Sequence, residues 1–323
     1  MDIPIKNKKG ELKMRRLFYF LKPFMSRKFQ LFLRRKLIYF KLKKSRNIWP
    51  ILSTSAKKPE NWKGWPENKK FALILTHDVE HQIGYDRVLQ LMEIEKNLGF
   101  VSSFNFVPER DYKVEKSLLN SLAESGFEYG VHGLHHDGKL FQNRKNFLES
   151  AKKINAYIKD WGAVGFRSPA MIRNLQWIGE LDIQYDLSTF DTDPFEPQPK
   201  GVGTIFPFLI KRSNEHPPYV EIPYTLVQDF TLFILMKESS PRIWQEKLNW
   251  IAEKGGMVLL NTHPDYMCFD KISNTPLEEY PVQYIIDFLE FINKNYKDQY
   301  WHVLPRKMAE YFGNEYLNEA NEV

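Results

Sequence analysis

The chain has 323 residues, with 43% hydrophobic and 27% charged side chains, which is the composition of a globular protein with a substantial core. This length suits one large domain with an appendage, or two modest domains. The single cysteine, Cys268, excludes a disulfide within the chain and favours a reducing compartment.

The net charge of +6 is distributed unevenly along the chain. Residues 1–50 carry 16 Lys and Arg against two acidic residues, a net charge of +14. The remaining chain carries 30 basic and 38 acidic residues, a net charge of −8. The basic character therefore belongs to one N-terminal arm, and such a segregation of charge indicates an arm that binds a polyanionic surface.

The arm interleaves aromatic and aliphatic side chains with Arg and Lys between residues 15 and 40. Its longest apolar run, Leu17 to Leu21, is far shorter than the ~20 residues of a membrane span. It is also shorter than the about 7–15 residues of a signal-peptide core. Pro23 predicts a break between two helices, the second from about Ser26 to Lys44.

A basic amphipathic helix with aromatic residues is typical of segments that lie in the surface of an anionic membrane. We therefore expect residues 1–50 to be a membrane-surface arm, with the protein in the cytoplasm and peripheral at the inner face of the cell membrane. Two alternatives are helices packed on the protein body with solvated charges, and binding to nucleic acid, which we do not expect.

Short apolar strands alternate with helices from residue 71 onward. The predicted strands are residues 71–76, 102–107, 127–132, 164–169, 183–188, 219–225, 257–263 and 302–305, followed by a last helix near 306–316. This alternation indicates βαβ units and a parallel sheet. Seven or eight such units predict an α/β fold, a parallel (β/α) barrel over residues 65–318, with an open doubly wound sheet as the alternative.

The segment 191–218 contains several prolines and shows no clear helix. A loop of this length in a compact domain is usually a functional lid or a binding loop.

Polar residues able to carry chemistry fall at the C-terminal ends of four predicted strands. They are His77, Asp78, Glu80 and His81 after the first strand, His132, His135 and His136 after the third, Arg167 after the fourth, and Asn261 and His263 after the seventh. The C-terminal ends of the strands of a parallel barrel converge on one mouth, where active sites lie.

Two imidazoles and one carboxylate form a ligand set suited to Zn²⁺ or a similar divalent metal, with positions left open for water and substrate. His132 and His136 can face one point if the chain turns after the strand. Either Asp78 or Glu80 can complete the set.

A metal-activated water needs a base, and the leaving group needs an acid. Asp78 and His263 can fill these two roles, and Arg167 can pair with the base and keep it ionised. These parts indicate hydrolysis of an amide or ester. The sequence contains no Gly-rich phosphate loop, so nucleotide chemistry is not supported.

These motifs, in this order, resemble those of the polysaccharide deacetylases of carbohydrate esterase family four, the NodB-like group. The resemblance covers about residues 70–305 and rests on four short motifs: Asp78-Val79-Glu80, His132-x-x-x-His136, Arg167-x-Pro169 and Leu260-x-x-His263. It implies a deformed (β/α) barrel and removal of acetyl groups from N-acetylated sugars with Zn²⁺ or a related divalent ion.

The resemblance also implies roles for single residues. Asp78 would be the general base and His263 the general acid, with Arg167 orienting Asp78. Glu80, His132 and His136 would hold the metal. The oxyanion would be held by the metal and by a backbone N–H near Ala170.

The chain departs from the family pattern at three points. The commoner first motif has two adjacent aspartates, whereas this chain has D-x-E, so Asp78 could be a metal ligand instead of the base. Ala170 stands where an aromatic residue is frequent. The Asp that supports the catalytic His is assigned to Asp229, with Asp191 and Asp193 as alternatives that fit a substrate-binding loop better.

The sequence therefore predicts a metal-dependent deacetylase of an N-acetylated sugar or of a precursor of cell-surface polysaccharide. One alternative is hydrolysis of a cyclic amide or imide on the same fold. A second alternative is a sugar-binding module without catalysis.

Overall fold

The computed structural model describes residues 26–212, 216–270 and 278–317. In this part of the chain the strands are β1 (Phe71–Val79), β2 (Ser103–Phe106), β3 (Glu128–His132), β4 (Gly165–Arg167), β5 (Tyr185–Asp186), β6 (Phe208–Ile210), β7 (Tyr219–Glu221), β8 (Met257–Thr262), β9 (Met267–Cys268), β10 (Tyr280–Pro281) and β11 (Tyr300–His302).

The α-helices are α1 (Arg27–Lys44), α2 (Gln82–Asn97), α3 (Lys116–Glu124), α4 (Arg144–Trp161), α5 (Leu175–Ile178), α6 (Arg242–Lys254), α7 (Gln283–Tyr296) and α8 (Pro305–Leu317). A π-helix spans Phe230–Leu235. Short 3₁₀ turns follow the ends of two strands, at Pro169–Met171 and Pro264–Tyr266.

β1 is the central strand of the sheet. β8 pairs with it along Ala72 to His77, while β11 pairs with its first residues and β2 with its last four, all in parallel. All nine residues of β1 are buried. A parallel strand that is buried on both faces has a nearly continuous apolar sequence. This explains why Phe71 to Leu75 could be predicted as a strand.

The sheet continues from β2 through β3, β4, β5 and β7 in parallel, and β6 joins β7 antiparallel. The backbone N–H groups of Thr225 and Leu226 donate to the carbonyl of Leu259 in β8, so the chain after β7 curls toward the other end of the sheet. The eight parallel strands form a curled half-barrel, and the predicted deformed (β/α) barrel with a preceding N-terminal helix is confirmed.

The segment 191–218 differs in one respect from the prediction of an uninterrupted loop. It contains the strand β6. Ile205 and Phe206 are fully buried, and Met257 donates its backbone N–H to the carbonyl of Ile205. The described part of this segment, residues 191–212 and 216–218, is therefore packed into the scaffold to a large extent.

α1 begins where the sequence predicted, with the side chain of Ser26 accepting a hydrogen bond from the N–H of Phe29. The predicted break at Pro23 lies outside the described residues. One face of α1 packs on the protein body through the buried side chains of Leu31 and Ile38, and Arg35 donates two hydrogen bonds to the carbonyl of Ile234.

The opposite face, called here the outer face of α1, is exposed. It consists of Phe29, Phe32, Leu33, Leu37, Tyr39 and Phe40, with Lys28, Lys36, Lys43 and Lys44 among them. Helices in the described ranges are all too short or too polar to cross a lipid bilayer.

Candidate active site

The candidate site lies where β1, β3, β4 and β8 end. β1 ends at Val79, so Asp78 is its penultimate residue and Glu80 follows the strand directly. His132 and Arg167 are the last residues of β3 and β4, and His263 follows β8 directly. The parallel arrangement brings these four strand ends to one mouth.

A possible metal cluster is formed by Glu80, His132 and His136. One ligand atom from each of the three residues lies within 4.8 Å of the others. Nε2 of His136 lies 2.8 Å from Oε1 of Glu80. His136 has a φ of 53°, in the left-handed region that residues other than glycine rarely adopt. Strained backbone of this kind is typical of functional sites.

His132 is oriented as a metal ligand would be. Its Nδ1 lies 3.1 Å from the carbonyl oxygen of Arg167, which places the proton on Nδ1 and the lone pair on Nε2. The buried Nε2 has no hydrogen-bond partner among the described residues. Burial lowers the pKa of His132 to about 4, so the ring is neutral at pH 7. The donor set therefore fits Zn²⁺ or a similar divalent ion.

Asp78 is held by three side chains. Asn105 donates to its Oδ1 at 3.0 Å, and Asn261 donates to its Oδ2 at 2.8 Å. Nε of Arg167 lies 3.6 Å from Oδ1. Burial alone would raise the pKa of Asp78, but the charges of Arg167 and His263 lower it below its ordinary value. The carboxylate is therefore ionised and fixed in orientation at neutral pH.

His263 is held by Asp229. The backbone N–H of His263 donates to Oδ2 of Asp229 at 2.8 Å, and Nδ1 lies 2.7 Å from Oδ1. The hydroxyl of Tyr280 donates to the same carboxylate. Burial works against a charged ring, yet the charge of Asp229 raises the pKa of His263 to about 10. The free Nε2 faces the site, 4.0 Å from Asp78 and 3.9 Å from Glu80.

The alternative carboxylates for the role of Asp229 lie elsewhere. Asp191 forms a buried ion pair with Lys247, with 2.8 Å between Oδ2 and Nζ. Asp193 accepts a hydrogen bond from the hydroxyl of Tyr224. Asp229 is thus the candidate that contacts His263, whereas the side chains of Asp191 and Asp193 are buried away from it.

The other strand-end histidines do not join the cluster. His77 is buried between Glu95 and Thr262, at 2.9 and 2.7 Å. His81 and His135 are nearly half exposed on the rim, where His81 contacts Asp111 and His135 contacts the carbonyl of Glu109.

Four residues of the site were not singled out from the sequence, although they hold the candidate groups. They are Asn105, Asp265, Tyr266 and Tyr280. Asn261 was noted at its strand end, but it was not assigned as a partner of Asp78. Tyr266 donates to Oε2 of Glu80 at 2.9 Å, and Asp265 accepts from the backbone N–H of Glu80. A buried asparagine inside an apolar strand, as in Ser103–Phe106, was the available signal, because a polar side chain there needs a partner.

A groove of about 390 Å³ adjoins the cluster beside His136. It is lined by the loop after β3, the start of α4 and the 3₁₀ turn after β4, including Phe141, Pro169 and Ile172. Ala170, in this turn, has a φ of 51°, also in the left-handed region. The groove is large enough for part of a ligand to extend away from the cluster.

Comparison with known proteins gives a match by structure. No family model matches the chain, and no curated protein matches it. A solved structure described as a candidate polysaccharide deacetylase from Mycobacterium smegmatis is 19% identical, with a TM-score of 0.58, covering 80% of this chain and 95% of that one. The chitin deacetylase of Colletotrichum lindemuthianum is 14% identical, with a TM-score of 0.44, covering 74% and 87%. The chain therefore has the fold of the polysaccharide deacetylases, the NodB-like group that its motifs resemble.

Proposed function

We propose that the protein is a metal-dependent hydrolase that removes an acetyl group from an N-acetylated sugar, acting in the synthesis of cell-surface polysaccharide. The observation that carries this proposal is the cluster of Glu80, His132 and His136 beside a fixed Asp78 and an Asp229-bound His263. The similar structure with a TM-score of 0.58 is described as a candidate polysaccharide deacetylase, which supports an acetylated sugar as the substrate class.

Glu80, His132 and His136 would hold Zn²⁺ or a similar divalent ion. Such an ion, when bound, polarises the acetyl carbonyl and makes water acidic enough to be deprotonated near neutral pH. Two groups are suited to bind the ion: Nε2 of His132, which has no hydrogen-bond partner among the described residues, and the carboxylate of Glu80, which accepts a hydrogen bond from Tyr266. A backbone N–H near Ala170 would help to hold the oxyanion.

Asp78 would accept the proton of the attacking water. Its two oxygens already accept hydrogen bonds from Asn105 and Asn261, and Arg167 keeps it ionised. The water oxygen adds to the acetyl carbon, and the C–N bond then breaks. His263, protonated because of Asp229, would donate its Nε2 proton to the departing nitrogen, giving acetate and a free amine.

Metal content and hydrolysis test this proposal together. We expect the purified protein to bind one divalent ion and to release acetate from N-acetylated chito-oligosaccharides. His132→Ala and His136→Ala should lose both properties while they stay folded by circular dichroism, whereas the rim variant His135→Ala should keep both. A wild-type protein that binds no metal would refute the mechanism.

We also propose that residues 1–50 form an arm on an anionic membrane surface, at the inner face of the cell membrane, and that residues 65–318 form the catalytic domain. The outer face of α1 supports this, because Phe32, Leu37 and Phe40 are each more than half exposed and lysines stand among them. An aromatic face with surrounding lysines suits the interface of an anionic bilayer.

Reversal of charge on the outer face tests the arm. Lys36→Glu combined with Lys43→Glu should weaken binding to vesicles that contain phosphatidylglycerol by roughly 10- to 100-fold, because each basic side chain contributes on the order of 1 kcal/mol near such a surface. Lys152→Glu combined with Lys294→Glu, on other helices, is the matched control. Equal binding of both double variants in a sedimentation assay would count against the arm. Cell fractionation tests the inner-face location.

A further inference from the structure

α1 has an exposed outer face and an inner face that packs on the protein body. Of the ten large hydrophobic side chains that are most exposed in the described chain, six belong to the outer face of α1. The inner face carries Leu31 and Ile38, which are buried. A monomeric protein seldom concentrates its exposed apolar groups in one patch, so the outer face fits a binding surface.

The charges of the outer face decide which partner it is. The helix has no acidic residue, and four lysines surround the apolar side chains. Nζ of Lys43 lies 4.6 Å from the ring centre of Tyr39, and Nζ of Lys36 lies 5.6 Å from that of Phe32. Lysine next to an aromatic ring can extend toward phosphates while the ring enters the apolar layer, which matches an anionic lipid surface.

The inner face of the same helix is connected to the candidate active site through two aromatic rings. The guanidinium of Arg34 lies 4.6 Å from the ring centre of Phe230, and Phe230 lies 4.7 Å from the ring centre of Tyr266. Tyr266 donates to Glu80, a candidate metal ligand. Only two rings therefore separate α1 from the cluster.

The π-helix Phe230–Leu235 ties α1 to the candidate acid as well. Asp229, which precedes it, holds His263, and Arg35 of α1 donates to the carbonyl of Ile234 near its end. A helix is about 10–12 Å in diameter, so the cluster lies on the order of 20 Å from a surface on which α1 rests.

From this geometry we infer that the substrate is an N-acetylated sugar attached to a membrane lipid, processed while the enzyme and the lipid occupy the same surface. This inference rests on the proposed function and specifies its substrate class. A lipid-bound sugar is held within reach of the mouth, and confinement to one surface raises its effective concentration. The effective concentration of a free oligosaccharide is not raised by α1, because that substrate is not confined to the membrane surface.

The test compares one sugar in two forms. Soluble N-acetylchitobiose and a synthetic lipid with the same disaccharide headgroup, in vesicles of phosphatidylcholine and phosphatidylglycerol, are offered at equal bulk concentration to the Zn²⁺-loaded, full-length protein. Phe32→Ser combined with Phe40→Ser changes the outer face. Leu89→Ser combined with Leu148→Ser removes exposed side chains of α2 and α4 as the matched control.

We expect the wild type to deacetylate the lipid-borne sugar at least about tenfold faster than the soluble one, and the outer-face variant to lose this advantage. That variant should keep its rate on the soluble sugar within about twofold, with metal content and thermal unfolding unchanged, and the control should keep both rates. Equal wild-type rates on both forms, or an advantage that survives in the outer-face variant, would overturn the inference alone. Hydrolysis of neither form by wild type would overturn the proposed function itself.

Discussion

The Asp229–His263 pair has the geometry of a catalytic acid with its supporting carboxylate. Both polar groups of His263 that face away from the site, its N–H and Nδ1, contact the same carboxylate. Asp229 therefore fixes the ring and favours its charged form, and Nε2 is left to face the mouth.

Asp229→Asn should lower kcat by roughly 10²- to 10⁴-fold, because the amide neither stabilises the charged ring nor fixes its tautomer. Metal content should stay the same, since Asp229 does not contact the cluster of Glu80, His132 and His136. The measurement is steady-state kinetics with acetate detection. Asp193→Asn, at a buried carboxylate bound to Tyr224, is the control and should change kcat only a few-fold.

Tyr266 is expected to tune the metal site through Glu80. Tyr266→Phe keeps the ring against Phe230 but removes the hydroxyl that donates to the carboxylate. Loss of such a supporting hydrogen bond typically weakens metal binding by about 10–100-fold. Competition with a zinc chelator measures the affinity. Tyr129→Phe, which removes a hydroxyl bound to a backbone carbonyl away from the cluster, should leave the affinity unaltered.

Single residues also mark the limit of what the sequence predicted. His77 lies near the end of β1 and His132 ends β3, yet only His132 faces the mouth, because His77 points toward Glu95. The sequence placed the candidates at the right strand ends. The sequence did not identify Asn105 and Asn261 as partners of Asp78, because these contacts depend on the register of β2 and β8 against β1.

At the scale of elements, α1 was predicted as a helix within one residue of its observed bounds. Which of its faces packs on the protein body was not predictable. Apolar residues and basic residues occur all round it, so the pattern alone allowed a membrane helix or a packed helix. The structure separates the two faces, with Leu31 and Ile38 buried on the inner face and the aromatic residues exposed on the outer face.

Two leucines of α1 test this sidedness. Leu31 is fully buried, so Leu31→Ala should lower the free energy of unfolding by about 2–5 kcal/mol. Leu33 is 36% exposed on the outer face, and Leu33→Ala should change it by less than about 0.5 kcal/mol. Urea unfolding followed by far-ultraviolet circular dichroism gives both values. Equal losses would mean that α1 does not pack as described.

The strand β6 shows a different limit at the same scale. It has three residues and pairs only with β7, so its sequence carries too little alternation to be recognised. Longer strands such as β1 and β8 were predicted because they are buried over their whole length.

The whole molecule holds several buried carboxylates apart from the candidate site. Burial and then the neighbouring Asp193 raise the pKa of Glu196 to about 8. Burial likewise raises the pKa of Asp186 and of Asp191 to about 6. The folded state binds protons at these groups more tightly than the unfolded state does. The contribution of these groups to the free energy of unfolding is therefore fully present at low pH and is lost as pH rises through these values.

Glu196→Gln tests this dependence on pH. The wild type should lose stability between pH 5 and 8 as Glu196 ionises, because its folded-state pKa of about 8 lies above its unfolded value. The variant should lose less over the same interval, since glutamine keeps an acceptor for Tyr224 and cannot ionise. Urea midpoints at several pH values provide the comparison. Glu149→Gln, on an exposed helix surface, should reproduce the wild-type slope.

The contact between Arg35 and Ile234 joins residues 199 positions apart. At synthesis rates of about 5–20 residues per second, α1 leaves the ribosome roughly 10–40 s before the segment that it packs on. Throughout that interval Leu31 and Ile38 have no π-helix to bury them, and the nascent helix presents apolar side chains all round. The inner face of α1 can therefore be buried only after the π-helix Phe230–Leu235 has been synthesised.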